Sequence, residues 1–429
     1  MGIGTAVSSR TGLFFGWWIV FASAAIVFLT GGPFFYGFGT LFDPLVKEFG
    51  WSRASISLAF SLRSEVGGLA APVVGFLVDR VGSRRLMVGG VALVALGFLL
   101  LSRVQALWTF YGAVFVIALG MSAAGGTVGY VAIAHWFRRR RGQAMGLMTM
   151  GGGASGVMVM VMAVLISAYD WRTALLVMGV TQLAVCIPLA WSIRDRPEDI
   201  GLAPDGVVEP RQEMRAVEES DPTPEEEGLT ARQALRSGAF WRLSISVALA
   251  NLGMTSIVVH QIPFFTSSVG LSREVAAASV TALTLLTLIG RFGGGYLADI
   301  IDKRKVLAAA YAVAGVAILL FATIYAGWQI FLVVPLFALG YGGVIPVRAA
   351  FQAEYFGLRA YGAIQGMVFT IATLGGVAGP VLVGWIYDQT ESYRLAFVLV
   401  SAGTLLAAPL MLTMPRPAGT TRSLAREPR

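Results

Sequence analysis

The sequence predicts an all-α integral membrane protein of twelve transmembrane helices, arranged as two six-helix pseudo-symmetric bundles. Three observations predict it. The 429 residues are 56% hydrophobic and only 13% charged, about half the charge of an ordinary soluble chain at roughly 25%. Long runs approach or exceed the ~20 apolar residues that cross a bilayer as a helix. Finally, a set of glycines, acids and corner residues recurs at one fixed offset of 220 residues. The apolar runs are continuous and do not alternate with period two, which excludes a transmembrane β-barrel.

Spans are expected near 13–40, 52–78, 86–103, 107–135, 142–168, 172–193, 239–266, 273–299, 306–326, 328–355, 362–388 and 394–414. Lysine and arginine decide the orientation. With the N-terminus inside, the inside segments carry 22 of the 32 basic residues and the outside loops six. Both termini are therefore expected on the cytoplasmic side. The remaining four, Arg63, Arg242, Arg291 and Arg348, fall in or at the ends of spans. The net charge of +8 is thus topogenic and no nucleic-acid footprint. The cluster Arg138–Arg141 reads as part of that signal and as a lipid contact.

The polar segment between spans 6 and 7 holds twelve of the 24 acidic residues, including "DRPEDIGLAPDG" and "SDPTPEEEG". It has too little apolar surface to fold alone. The expected division is an N-terminal bundle over 1–193, a cytoplasmic linker over 194–237 and a C-terminal bundle with a short tail over 238–429. The repeat joins the two bundles: Gly75 matches Gly295 and Asp79 matches Asp299. The same offset relates Gly50, Ser52 and Arg53 to Gly270, Ser272 and Arg273, Gly120 to Gly340, and Gly142 and Gly146 to Gly362 and Gly366.

Three classes of chemistry are excluded. No glycine-rich phosphate loop precedes a Lys-Ser/Thr pair, so an ATP-driven pump is not expected. Two histidines and one cysteine cannot build a metal centre of ordinary spacing. The lone Cys186, inside an apolar run, can form no intrachain disulfide. Neither an enzyme activity nor a cofactor is expected.

Arg291 in "TALTLLTLIGRFGGGYLADIIDKRK" is the residue that most needs explaining. It stands eight residues before Asp299, ~12 Å along a helix, near the middle of a core ~30 Å thick. A charge there costs ~2.5–3.5 kcal/mol on insertion scales. Thr281, Thr284, Thr287 and Arg291 follow at spacings of three, three and four, which makes a polar stripe that must face protein or a wet cavity. Other polar residues inside spans are Arg348 with Gln352 one turn on, Asn251, Tyr130, His260 before Pro263, and Glu65 beside Arg63. Arg348 is read either as a second anion ligand or as the partner of Glu354 or Glu65. Glu65 is the first candidate for a coupling carboxylate. His260 is a proton relay or a satisfied hydrogen bond at the outer gate. The run Gly151–Gly153 is read as close helix packing.

"GFLVDRVGSRR" (75–85) resembles the signature loop between spans 2 and 3 of the major facilitator superfamily, and "GYLADIIDKRK" (295–305) is a second, less faithful copy. Within that superfamily, four stretches resemble the monocarboxylate transporter and oxalate/formate antiporter branch, in its bacterial form. They are "FYGFGTLFDPLVKEFGWSRASISLAFSL", "WFRRRRGQAMGLMTMGGGASG", "IGRFGGGYLAD" and "AEYFGLRAYGAIQG". The resemblance implies a site between the halves at mid-depth and a gate built on Gly75, Asp79, Arg84, Arg85, Gly295 and Asp299. It also implies that Arg291 binds a substrate carboxylate, for which its planar two-pronged guanidinium is suited. Two positions depart from the family. Thr287 stands where the animal transporters carry an aspartate, and Tyr36 where they carry a lysine. The antiporter's span 11 lysine has no counterpart between Gly362 and Asp388. Proton coupling of the lactate type and oxalate/formate exchange are therefore not carried over.

The expected function is secondary transport of a small organic anion, a monocarboxylate, by alternating access with proton symport. The expected setting is the bacterial inner membrane, as a monomer in contact with lipid. The rival readings are a facilitator of neutral solutes, a drug exporter, and a transport-inactive sensor. Against the exporter, span 5 lacks the glycine-proline motif; the sensor is not favoured by a linker spanning 194–237 and a short tail.

Overall fold

A chain crossing lipid must satisfy its backbone hydrogen bonds internally, and the crossings here are all helical. The computed structural model describes residues 14–206 and 228–415; the side chains at 35, 36, 53, 54, 57, 60–65, 273, 274 and 277 are outside that description. In the first half the helices are α1 (Phe15–Phe49), α2 (Arg53–Val81), α3 (Ser83–Ser102), α4 (Leu107–Trp136), α5 (Arg141–Ala168) and α6 (Trp171–Ser192). In the second they are α7 (Gly238–Ser267), α8 (Arg273–Ile300), α9 (Lys303–Phe321), α10 (Ile330–Phe356), α11 (Tyr361–Thr390) and α12 (Tyr393–Leu412).

Eleven of the twelve are long and apolar enough to cross a membrane. The other, α2, is 29 residues long and packs along α4 and α11, which makes it a span as well. The first helix runs further than the sequence suggests, because the Gly-Gly-Pro break only loosens it. A π turn over Gly32–Tyr36 and a 3-10 turn over Gly37–Leu41 carry it on to Phe49. Gly50, at φ 68°, then turns the chain into α2. Helix α4 is interrupted at Gly125, whose ψ of −162° separates Leu107–Ala124 from Gly126–Trp136.

The 220-residue offset is a three-dimensional repeat. Ser52 accepts from Ser55 N at the start of α2 as Ser272 does from Val275 N at the start of α8. A Cβ on Gly120 would meet Gly90 O at 2.8 Å, and one on Gly340 would meet Ala310 O at 2.9 Å. The α3/α4 and α9/α10 crossings are thus the same contact made twice, with small residues letting backbones touch.

Two further crossings join the bundles. Helix α2 lies against α11 and α8 against α5. At the first, a Cβ on Gly75 would sit 2.0 Å from Gly362 O; at the second, one on Gly295 would sit 2.3 Å from Gly142 O. Each crossing ends in a carboxylate. Asp79 accepts from the N–H groups of Gly362 and Ala363, both at 2.9 Å. Asp299 accepts from those of Gly142 and Gln143 at 2.7 and 2.9 Å. A helix N-terminus has unpaired donors and a positive dipole end, so each aspartate satisfies both at once. The less faithful second copy of the loop therefore makes the same clamp as the first. Ala349, Ala350, Ala353 and Tyr361 of α10 and α11 join the apolar cluster of the first bundle, closing the molecule on the side that carries the linker.

The described ends of the segment between the bundles are docked, although its composition predicts no fold of its own. Asp195 accepts from Arg84 N at 2.9 Å, and Asp205 from Arg138 N and Arg139 N at 3.0 and 2.8 Å. At the other end Leu229 N donates to Phe356 O at 2.8 Å, ahead of a short helix over Ala231–Arg236.

Candidate functional site

Arg291 lies nine residues before the end of α8, ~13 Å from it at 1.5 Å per residue. At that level α8 touches α5 by backbone: a Cβ on Gly146 would stand 2.7 Å from Arg291 O. The side chain then crosses the glycine run of α5. Its Nε and Cζ come within 3.4–3.5 Å of where a Gly153 Cβ would be, and Nη1 within 3.7 Å of that at Gly152. Nη1 donates to Thr149 O, and Nε is buried with no hydrogen-bond partner. The glycine run is therefore both close packing, with Gly151 against Ala24 of α1, and the bed of the guanidinium.

Arg348 and Gln352 are one turn apart on α10, 8% and 0% exposed. Arg348 Nε and both amide atoms of Gln352 are buried without partners. Glu354 pairs instead with Lys303 of α9. Among the described residues, neither Arg291 nor Arg348 pairs with a carboxylate. Tyr130 of α4, itself buried, is within electrostatic reach of both arginines. Tyr361 closes the linker side of this group, its hydroxyl donating to Ala349 O at 2.9 Å.

Other expected site residues are placed elsewhere. Thr287 is buried and donates to Thr284 O of its own helix at 2.6 Å. It packs against α10, where a Cβ on Gly342 would meet Thr287 O at 2.4 Å. The polar stripe is thus split, with Thr284 and Arg291 toward α5 and Thr287 toward α10. Asn251 donates to Ala372 O at 3.2 Å, Thr255 to Gly376 O at 3.0 Å, and His260 Nε2 to Pro380 O at 2.9 Å. These three tie α7 to α11 as rungs of one ladder. Tyr36 falls in the π turn of α1 and Glu65 in α2, but both side chains lie outside the described residues.

Around the clamps, Arg84 lays its guanidinium over Trp191 at 4.3 Å, and Arg85 is exposed. Arg141 corrects the reading of its cluster as surface charge. It is 9% exposed and donates to Phe137 O and Ala134 O, both at 2.9 Å. Satisfying carbonyls at the break before α5 is its local task. A separate polar recess of about 470 Å³, lined by Asp79, Arg80, His135, Asp195, Arg196 and Arg359 among others, lies on the linker side of the clamp.

Thr149, Gly152 and Gly153 are the site residues that sequence reasoning did not assign. The flat glycine surface was visible, but its guanidinium occupant was not. Chemically, the centre offers fixed positive charge, open N–H donors and a phenol, with no nucleophile or base in contact with them among the described residues. Such an arrangement can hold an anion.

Comparison with known proteins gives the family. The sequence matches the Major Facilitator Superfamily over residues 13–289 and 243–429. It is 26% identical over 411 residues to monocarboxylate transporter 13 of Bos taurus, covering 93% of this chain and 89% of that protein. The fold matches the E. coli fucose:proton symporter with a TM-score of 0.70 at 14% identity, over 93% of this chain and 98% of that one. It matches the human organic anion transporter MFSD10 with a TM-score of 0.65 at 16% identity, over 96% and 100% of the two chains. These relatives are transporters and not enzymes. With twelve spans in two bundles and a family match along both, the chain belongs to the major facilitator superfamily and is a membrane transporter of that type.

Proposed function

We propose that the protein carries a small organic anion, a monocarboxylate, by alternating access coupled to protons. The observation that carries this is Arg291: a guanidinium at the crossing of the two bundles, with a buried, unpartnered Nε and no carboxylate beside it among the described residues. A charge in that position is costly unless something anionic completes it. The names of the sequence relatives, monocarboxylate transporters, support the same substrate class. In this reading Tyr130 helps hold the ligand and the Asp79 and Asp299 clamps form the cytoplasmic gate, here closed, so the site is offered to the outside. Glu65 is the proton-carrying carboxylate, and His260 has the lesser claim because Pro380 O already occupies its Nε2. The protein acts as a monomer in a bacterial inner membrane, both termini cytoplasmic, with Arg139 and Arg140 at the lipid surface.

The test is the melting temperature of the purified protein against a panel of carboxylates, with Arg291→Gln beside it. A ligand at a hundred times its Kd stabilises by ~2.7 kcal/mol when it binds only the folded state. Stabilisation of the wild type, absent from an equally folded Arg291→Gln, is the expected outcome. If no carboxylate shifts either protein, the substrate is a neutral solute and the reading fails. Uptake into vesicles that ignores an imposed pH gradient removes the proton from the scheme.

A further inference from the structure

We infer that the ligand carries a second carboxylate, and that Arg348 and Gln352 of α10 hold it. This rests on the organic-anion reading above and puts a dicarboxylate in place of its monocarboxylate.

The argument starts from what α10 leaves unsatisfied. Arg348 and Gln352 are 8% and 0% exposed, yet Arg348 Nε and Gln352 Oε1 and Nε2 have no hydrogen-bond partner. Positions four apart share a helix face, so three orphan polar atoms are gathered on one turn. Buried polar groups are nearly always paired, and clustered exceptions mark places where something else belongs.

The described carboxylates that could complete Arg348 are already committed. Glu354 pairs with Lys303. Asp79 and Asp299 each hold two backbone N–H groups of the opposite bundle. Neighbouring Tyr361 spends its hydroxyl proton on Ala349 O. Arg291 of α8 and Arg348 of α10 belong to helices that pack against each other and both lie along α5. One carboxylate balances one guanidinium. The second needs a second negative charge, and an arginine beside a glutamine amide offers a carboxylate several N–H donors at once.

The experiment uses the full-length protein in detergent and measures Kd for dicarboxylates and monocarboxylates of equal chain length, succinate against butyrate and glutarate against valerate. In the wild type the dicarboxylate is expected to bind at least about tenfold tighter, the increment of one charge-assisted contact. Arg348→Gln should erase that difference by weakening the dicarboxylate at least about tenfold more than the monocarboxylate. Arg348→Lys, which keeps the charge without the fork, should retain part of the preference and guards against a glutamine variant that does not fold. Arg291→Gln should weaken both members of each pair. Equal binding of the two acids by the wild type, or a preference that survives Arg348→Gln, overturns the inference; in either case monocarboxylate binding that still depends on Arg291 leaves the organic-anion reading standing. Absence of any carboxylate binding removes that reading and this one together. If Arg348 is instead the structural partner of Glu65, Glu65→Gln and Arg348→Gln will lower the melting temperature equally and non-additively, which also overturns the inference.

Discussion

The crossing of α2 with α11 and the crossing of α8 with α5 are the same piece of backbone geometry used twice. Gly366 of α11 would drive a Cβ to 2.2 Å from Ala71 O, and Gly146 of α5 would drive one to 2.7 Å from Arg291 O. The offset of 220 residues maps Gly146 onto Gly366 and Ala71 onto Arg291. One crossing therefore carries a methyl group where the other carries a guanidinium. Arg348 likewise has Val128 as its counterpart. The scaffold is symmetric and its charge is not: both central arginines come from the C-terminal bundle, and the N-terminal bundle supplies Tyr130, the Thr149 carbonyl and the glycine bed. Packing constrains both copies of a repeat equally, whereas the anion we propose needs its charged partner on only one of them.

The largest expected effect separates the counterparts directly. Arg291→Ala should lower uptake at low substrate by about a hundredfold, equivalent to ~2.7 kcal/mol and within the range for removing one partner of a buried charged contact. Ala71→Ser, at the matching place, should change it less than about twofold. Comparable losses in vesicle uptake would mean that both crossings are merely structural. Next come the glycines. Gly75→Ala and Gly295→Ala should each destabilise the closed form by ~1–3 kcal/mol, because the new methyl meets a backbone carbonyl. Thermal unfolding of the two variants checks whether the crossings are equally tight.

A smaller effect, ~1–2 kcal/mol, is expected for Asp79→Asn and for Asp299→Asn, each of which gives up an ionised acceptor at a helix N-terminus. Hydrogen exchange makes this specific. Asp79→Asn should speed the amides of Gly362 and Ala363 and spare those of Gly142 and Gln143; Asp299→Asn should do the reverse. Exchange that rises at all four amides in either variant would mean the clamps open as one unit.

The smallest effect lies where the two loops differ most. Asp302 stands where the first copy has Gly82. It accepts from Arg304, whose guanidinium holds its carboxyl below the ordinary carboxylate range of 3.8. A depressed folded value means that the stabilisation is complete above that range. It is then lost as the pH falls through the lowered value. Asp302→Ala should cost under about 1 kcal/mol near neutrality, and acid titration of its melting temperature below pH 3.8 should be flatter than the wild type's.

Much of the fold was legible because the signals that set it are local and repeated. Span length and the offset can both be read from residue types and spacing alone. Asp79 was legible as part of the loop between spans 2 and 3, but not the helix N-terminus it meets, since Gly362 is 283 residues away. The site was harder for the same reason. Thr149 offers Arg291 a backbone carbonyl, which leaves no mark in a sequence. Thr287 was grouped with Thr284 by helical spacing, yet a step of three residues turns a helix by about 300°. That residual 60° turns the two residues toward different helices, Thr284 to α5 and Thr287 to α10. Glu65 and Tyr36 stay sequence proposals.

The clamps also have a bearing on how such a chain can arise. Asp79 and Gly142 belong to one half, Asp299 and Gly362 to the other, and each aspartate reaches across to the half that is not its own. Nothing in that exchange requires the halves to be covalently joined or to differ. Two identical copies of a six-helix half, facing each other about a two-fold axis, would satisfy both clamps simultaneously in a self-complementary dimer. Fusion of the copies would leave those contacts intact and free each half to diverge. The appearance of arginine at 291 and its absence at 71 is a divergence of that kind, which an obligate dimer of identical chains could not adopt.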